Sequence, residues 1–320
     1  MKKLLITRVI AQPVLDQAAH LFDLTIRQDG SGMSEDECAV ALSAYDAILP
    51  TLGDQFTAGA FQKAQAGGLR CRMLGNFGVG YNHIDAAAAA AAGVIVSNTP
   101  DVLTAATADI GMTLILSTCR RASEGERMLR AGKWGGVGPK SMLGTEVSGK
   151  TLGIVGMGRI GQAVAHRGHY GFGMPVIYFN RSKKGVDLPA RQVETLHDLM
   201  AEADIVVVTV PGGGPTTKLI DRAAIAAMKP SGIFVNISRG EVVDEVALID
   251  ALEAGAIAGA GLDVYEKEPN VPGRLRALEN CTLLPHLGSA TVETRQAMGQ
   301  MALDNIIAWD KGLEPPQRVN

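Results

Sequence analysis

The chain has 320 residues, 47% of them apolar and only 20% charged, with a formal net charge of −3. Such a length exceeds one comfortable core and falls short of three, so two globular α/β domains are expected, and the composition argues against disorder or a coiled coil. The basic residues are scattered, which excludes a phosphate-neutralising stripe for nucleic acid, and no apolar stretch approaches the roughly 20 residues that span a bilayer.

The start, MKKLLITRVI, offers too short an apolar run before Arg8 for a secretory signal and reads as a first strand. FDLTIR, DAILPT, RMLGNFG and GVIVSN follow, separated by polar or Ala-rich stretches. That rhythm predicts βα units on a parallel sheet up to about Asn98. The alanines after Asp85 read as a short packed helix, since Ala has the highest helix propensity. Pro100 and Asp101 then punctuate the chain before a helical pattern from about Val102 to Arg130, read as one connecting helix that ends in AGKWGGVGPK.

A second series begins at strand TLGIVG and a helix from Arg159, then strand VIYFN, helix HDLMAEA, strand IVVVTV and helix DRAAIAAM. Strand GIFVNIS, helix VDEVALIDALEAG and strands AGLDVY and CTLLPH complete it, the pattern of a doubly wound parallel sheet. From about Thr291 one helical pattern and a polar tail remain, too few residues for a domain and expected to fold back onto another. Cys38, Cys71, Cys119 and Cys281 lie far apart without a CxxC, which predicts reduced thiols in the cytoplasm and neither disulfides nor zinc.

Gly156, Gly158 and Gly161 stand as GMGRIG directly after the strand TLGIV and before a helical run. In that context the first Gly permits a tight turn, the second lets a pyrophosphate approach the backbone, and the third lets helix pack on strand. The next strand ends at Phe179-Asn180, where an NAD site would place a carboxylate on the ribose hydroxyls. Asn180-Arg181-Ser182-Lys183-Lys184 instead offers cations and hydroxyl donors suited to a 2′-phosphate. NADP(H) is therefore expected over NAD(H), which remains possible.

Three residues fall just after strands of this series, at the edge where such sheets bind ligands: Arg239 in SRGEVVD, Glu268 in YEKEPN and His286 between Pro285 and Gly288. Reduction of a 2-keto acid needs a cation for the carboxylate and a proton donor for the developing alkoxide. A carboxylate bonded to the imidazole would orient it and favour its charged form. Singly, an Arg after a strand is usually a surface ion-pair partner and a lone His a satisfied polar group. Together, beside a dinucleotide fingerprint, they predict an oxidoreductase. His166 and His169 have the i, i+3 spacing of a metal pair but no third ligand, and His20, His83 and His197 suggest nothing.

GMGRIG, VNISRGEVVDEVALIDAL, AGLDVYEKEP and LLPHLGSAT resemble, in order and spacing, the D-isomer-specific 2-hydroxyacid dehydrogenases, over essentially the whole chain. The turn Asn180-Arg181-Ser182 and the segment GNFGVGYNHID resemble most the glyoxylate and hydroxypyruvate reductases among them. The resemblance implies two Rossmann- or flavodoxin-like domains, with a cofactor domain at 100–290 inserted into a substrate-binding domain of 1–99 and 291–320. It implies that backbone N–H groups of Val79 and Gly80 meet the substrate carboxylate that Arg239 holds, and that Thr107, Arg159, Ile160, Ser238 and Asp263 join the glycine loop in contacting cofactor. Val210, Pro211, Ile237 and Gly288, at strand ends of the same domain, are placed with them. Leu52 is expected either to face the substrate or to be core. Pro211-Gly212-Gly213-Gly214-Pro215 departs from the family's more usual proline-and-leucine stretch. The family's dimers imply a homodimer through the cofactor domain, with Trp134 and Met142 near the interface.

The leading expectation is NADPH-dependent reduction of glyoxylate or hydroxypyruvate to the D-2-hydroxy acid, with His286 as proton donor. The alternatives are a reductase for a larger 2-keto acid and a dinucleotide-sensing, corepressor-like interaction protein. Formate oxidation is disfavoured because Glu268 stands where a formate dehydrogenase of this superfamily would carry Gln.

Overall fold

Short β-branched runs alternating with helices build two parallel sheets in the computed structural model, which describes residues 1–320. The first lies in a unit made of Met1–Leu103 and Ala290–Asn320. Its strands are β1 (Lys3–Ile6), β2 (Asp23–Ile26), β3 (Ala47–Leu49), β4 (Met73–Gly75) and β5 (Ile95–Ser97), in the order β2-β1-β3-β4-β5. All pairs are parallel. Leu5, Ile48, Leu74 and Val96 from four of these strands pack with Phe56 and Phe61 as the core of one face. Chain order reverses between β1 and β3, the place where such a sheet opens a crevice at its carboxyl ends.

The helix Val292–Asp310, capped by the Thr291 hydroxyl accepting the Thr294 N–H at 3.1 Å, packs on this sheet beside β3 and β4. Beyond it, Arg318 bridges Ser97 antiparallel and the Val319 N–H donates to Val96 O at 2.9 Å. The tail thus folds back onto the first sheet and satisfies the otherwise open edge of β5.

Residues Thr104–Ser289 form the other unit. Its strands are β6 (Leu152–Val155), β7 (Val176–Phe179), β8 (Ala190–Gln192), β9 (Ile205–Val208), β10 (Ile233–Asn236), β11 (Gly259–Leu262) and β12 (Cys281–Leu283). The order is β12-β11-β10-β9-β6-β7-β8, parallel throughout, with the reversal between β6 and β9. β6, β9, β10 and β11 are buried along their whole length, which explains why they read as continuous apolar runs. β8 escapes sequence reading because Ala190-Arg191-Gln192 is a three-residue edge strand with no apolar run.

The helical pattern from Val102 to Arg130 is not one helix. Thr104–Cys119 buries Ala108, Met112, Leu114, Ile115 and Cys119, whereas Ala122–Arg130 buries nothing. Between them Arg121 takes a left-handed φ of 50°, and its guanidinium pairs with Glu124 at 2.7 Å. Once the apolar period ends at Cys119 no packing holds the axis straight, and the chain turns.

Candidate active site

The turn after β6 carries the glycine fingerprint. Gly156 adopts φ 99°, and its carbonyl is held by the Thr209 hydroxyl at 2.6 Å, from the chain just beyond β9. A side chain at Gly161 would lie 2.3 Å from Gly156 O, so the helix Arg159–His166 can start this close to the strand only with Gly there. At Gly158 a side chain would meet nothing within 4 Å, so the turn is tight behind and open in front. Those are the features a pyrophosphate at a helix N-terminus requires, and a nicotinamide dinucleotide fits them. Arg159 is exposed and Ile160 half-buried on the first turn of that helix.

At the end of β7, Asn180 Nδ2 donates to Ser182 O at 2.8 Å, and Asn180 O accepts from Gln192 Nε2 at 2.9 Å. This closes a small turn that leaves Arg181, Ser182, Lys183 and Lys184 exposed. Val210 and Pro211 follow β9, and Ile237 and Ser238 follow β10, the latter two buried.

Arg239 is positioned by Asn236, a residue sequence reasoning missed. The buried Asn236 side chain accepts the Ser238 N–H at 3.0 Å and the Ser238 hydroxyl at 2.8 Å, and its amide donates to Arg239 O at 3.0 Å. An Asn two residues before a Ser at a strand end is the Asx-turn pattern that could have identified it. Arg239 Nη1 donates to Ser238 O at 2.7 Å, while its buried Nε has no partner in the chain. Burial pushes the guanidinium pKa down, and the charges of Glu268 and Glu241 oppose that shift. A half-buried cation with a buried, unmet donor is suited to an anionic ligand.

Glu268 and His286 come from the turns after β11 and β12. Glu268 Oε2 lies 2.8 Å from His286 Nδ1, and Glu268 Oε1 accepts the Tyr265 N–H at 3.0 Å. Burial opposes ionisation of Glu268, but the bond and charge of His286, the Tyr265 N–H and the charge of Arg239 outweigh it, holding the carboxyl below its ordinary value. A carboxylate at Nδ1 selects the tautomer with its proton there and turns Nε2 away from Glu268.

His286 itself has φ 53°, a conformation that a non-glycine residue keeps only where the surroundings impose it. Asp263, buried beneath it, supplies the constraint. Its backbone oxygen accepts the His286 N–H at 2.9 Å, and its carboxylate accepts the N–H groups of Leu287 at 2.6 Å and Gly288 at 2.8 Å. Burial raises the Asp263 carboxyl pKa, opposed chiefly by the Leu287 bond. Thr107 closes this corner, since a side chain on Gly288 would meet both Thr107 and Asp263.

Arg239, Glu268 and His286 thus occupy the carboxyl ends of adjacent strands β10, β11 and β12, in the unit that carries the fingerprint. Val79, Gly80 and Leu52 belong to the other unit. There the carbonyls of Gly78, Val79 and Gly80 are all engaged, by Asn76 Nδ2 at 3.0 and 3.1 Å, Asn98 Nδ2 at 2.9 Å and the Thr99 N–H at 3.0 Å. The N–H groups of Val79 and Gly80 make no hydrogen bond within the chain. A turn with its acceptors tied down and consecutive donors unused is an anion cradle. Asn76, Asn98 and Thr99, which shape it, were also missed. Leu52 is partly exposed, in the turn after β3, where the Arg8 guanidinium holds Leu52 O and Thr51 Oγ1.

A family model described as D-isomer specific 2-hydroxyacid dehydrogenase, NAD binding domain, matches residues 112–288. A glyoxylate reductase of Pyrococcus furiosus is 40% identical over 325 aligned positions, covering 99% of this chain and 95% of the relative. A glyoxylate/hydroxypyruvate reductase B of Serratia proteamaculans is 46% identical over 255 positions, 78% of each chain. Among solved structures, an NADPH-dependent glyoxylate/hydroxypyruvate reductase from Sinorhizobium meliloti, in complex with NADP and malonate, superposes with a TM-score of 0.88 at 34% identity, covering 99% of this chain and 96% of that one.

Proposed function

The chain belongs to the D-isomer-specific 2-hydroxyacid dehydrogenases, and from that premise we propose that it is an NADPH-dependent reductase of a small 2-keto acid, glyoxylate or hydroxypyruvate, yielding the D-2-hydroxy acid. One observation carries the reading: the His286–Glu268 pair at 2.8 Å stands at strand ends in the same unit as a half-buried arginine whose buried Nε is an unmet donor. The names of the relatives support the substrate class.

The turn of Gly156, Gly158 and Gly161, with Arg159, Ile160, Thr107, Val210, Pro211, Ile237, Ser238, Asp263 and Gly288, would hold a nicotinamide dinucleotide, which would supply the hydride. Arg239 holds the substrate carboxylate, and the family resemblance assigns Val79, Gly80 and Leu52 to substrate binding. As a hydride adds to the carbonyl carbon, the C=O π pair moves to oxygen, which takes the proton from His286 Nε2. Glu268 keeps the ring oriented through Nδ1, leaving Nε2 as the nitrogen that exchanges the proton. In oxidation the neutral imidazole takes the proton back.

Preference for NADP(H) is inferred from Asn180, Arg181 and Ser182, which place a cation and hydroxyl donors where an NAD site would carry an acid. The exposed Leu129, Trp134, Val137 and Leu143 supply the apolar surface expected of a homodimer contact through this unit, with half-buried Met142 among them. The buried free thiols suit a cytoplasmic protein.

Steady-state rates with glyoxylate, hydroxypyruvate, pyruvate and bulkier 2-keto acids, with NADPH and NADH in parallel, test the reading. Fastest turnover of the two small substrates with NADPH is expected. Faster turnover with NADH sinks the cofactor assignment, and tight dinucleotide binding without turnover of any keto acid sinks the enzymatic one.

A further inference from the structure

The contacts of the loop after β9, Pro211-Gly212-Gly213-Gly214-Pro215, run to the strand turn that carries Arg239. The Gly213 N–H donates to Glu241 Oε1 at 2.8 Å. Thr216 Oγ1 ties the loop to itself through Pro211 O at 2.7 Å and Gly213 O at 2.9 Å. The Lys218 N–H donates to Glu241 O at 2.8 Å, so both the backbone and the side chain of Glu241 hold this stretch. At Gly212 a side chain would begin 2.6 Å from Glu241 Oε1 and 2.8 Å from Arg239 Cγ. The loop backbone therefore lies directly against the stem of Arg239, and only a glycine allows that approach.

Arg239 needs such support. Its Nη1 bonds its own neighbour's carbonyl, its Nε has no partner, and its Cβ and Cγ lie against the backbone of Gly212. We propose that Glu241 is a positioning residue, which pins Gly213 and so seats Gly212 against Arg239, setting the angle at which the guanidinium meets the substrate carboxylate. Gly212 is its partner in that contact. A side chain at 212 would press on Arg239 Cγ and on Glu241 Oε1 together, so the glycine and the acid two residues after Arg239 act as a pair.

This inference rests on the reading of Arg239 as the group that holds the carboxylate. The test is steady-state reduction of glyoxylate by the full chain with saturating NADPH, for Glu241→Ala, Glu241→Gln, Gly212→Ala and Arg239→Lys, with NADPH affinity by fluorescence titration as a fold control. Glu241→Ala and Gly212→Ala are expected to raise the glyoxylate KM about tenfold, with kcat changed less than about threefold and NADPH affinity unmoved. Glu241→Gln, which keeps an acceptor for the Gly213 N–H, should restore KM to within about threefold of wild type. Unchanged KM in both Glu241→Ala and Gly212→Ala overturns the inference, as does a Gln variant as impaired as the Ala variant. Arg239→Lys separates the two levels. A raised KM there with no effect at 241 and 212 leaves the Arg239 reading standing and removes only this proposal, whereas an unaffected Arg239→Lys removes the reading beneath it.

Discussion

His286 Nδ1 lies 2.8 Å from Glu268 Oε2, and both residues are fixed from the segment that follows β11, Glu268 by the Tyr265 N–H and His286 by Asp263 O. The ring is oriented at both ends of its support, so Nε2 is the nitrogen presented to a ligand. Replacing His286 by Ala should therefore lower kcat for keto acid reduction about 10²–10⁴-fold while leaving dinucleotide affinity intact. Single-turnover reduction with prebound NADPH checks it; a drop under about threefold would remove His286 from proton transfer.

The depressed Glu268 carboxyl has a consequence for stability. A group held below its ordinary value of 4.5 contributes stability that is fully present above that pH and is lost as pH falls through its folded value. Glu268→Gln lacks that contribution. The Tm gap between wild type and Glu268→Gln should be widest near neutrality and close as pH drops below 4.5. Thermal unfolding across that range decides it, and a gap that widens on acidification has the wrong sign for this account.

Asp263 carries the strained histidine. A left-handed φ at a non-glycine residue costs on the order of 1–3 kcal/mol, and here it is held by three N–H bonds to one residue. Asp263→Ala orphans the Leu287 and Gly288 N–H groups, each loss worth on the order of 1–3 kcal/mol. The variant should unfold at lower denaturant concentration with an unchanged slope, and keto acid turnover should fall with it. Wild-type stability together with wild-type kcat would show that the loop is held by something else.

On the proposed reading, the small turn closed by Asn180 and Ser182 is what tells the two cofactors apart. Arg181→Ala should reduce kcat/KM for NADPH about tenfold with little effect on NADH, the cost of one exposed cation–phosphate contact. Asn180→Asp places a carboxylate where ribose hydroxyls are expected and should move preference toward NADH. Parallel titrations with both dinucleotides read this out, and equal losses for the two cofactors would contradict the phosphate assignment.

Much of this was legible in the sequence because the chemistry sits where periodicity ends. Arg239, Glu268 and His286 each follow an apolar run that can only be a buried parallel strand, so their clustering at one sheet edge follows from topology. The glycine spacing was readable for the same reason. Asn236, Asn76 and Asn98 were not, because their role is to bond the backbone of turns whose path no period encodes. β8 was hidden by its polar three-residue edge, and the break at Arg121 by a period that ends without a Gly or Pro to mark it. Glu241 reads as an ordinary charged residue until Gly213 is seen donating to it.

Hydride transfer to a small 2-keto acid under control of Arg239, Glu268 and His286 is read out by the product formed from hydroxypyruvate and NADPH. Chiral analysis of that product should give D-glycerate, one molecule per NADPH consumed, with formation abolished in His286→Ala that still binds the dinucleotide. L-glycerate, or no consumption of either nicotinamide cofactor with any 2-keto acid, would contradict the account.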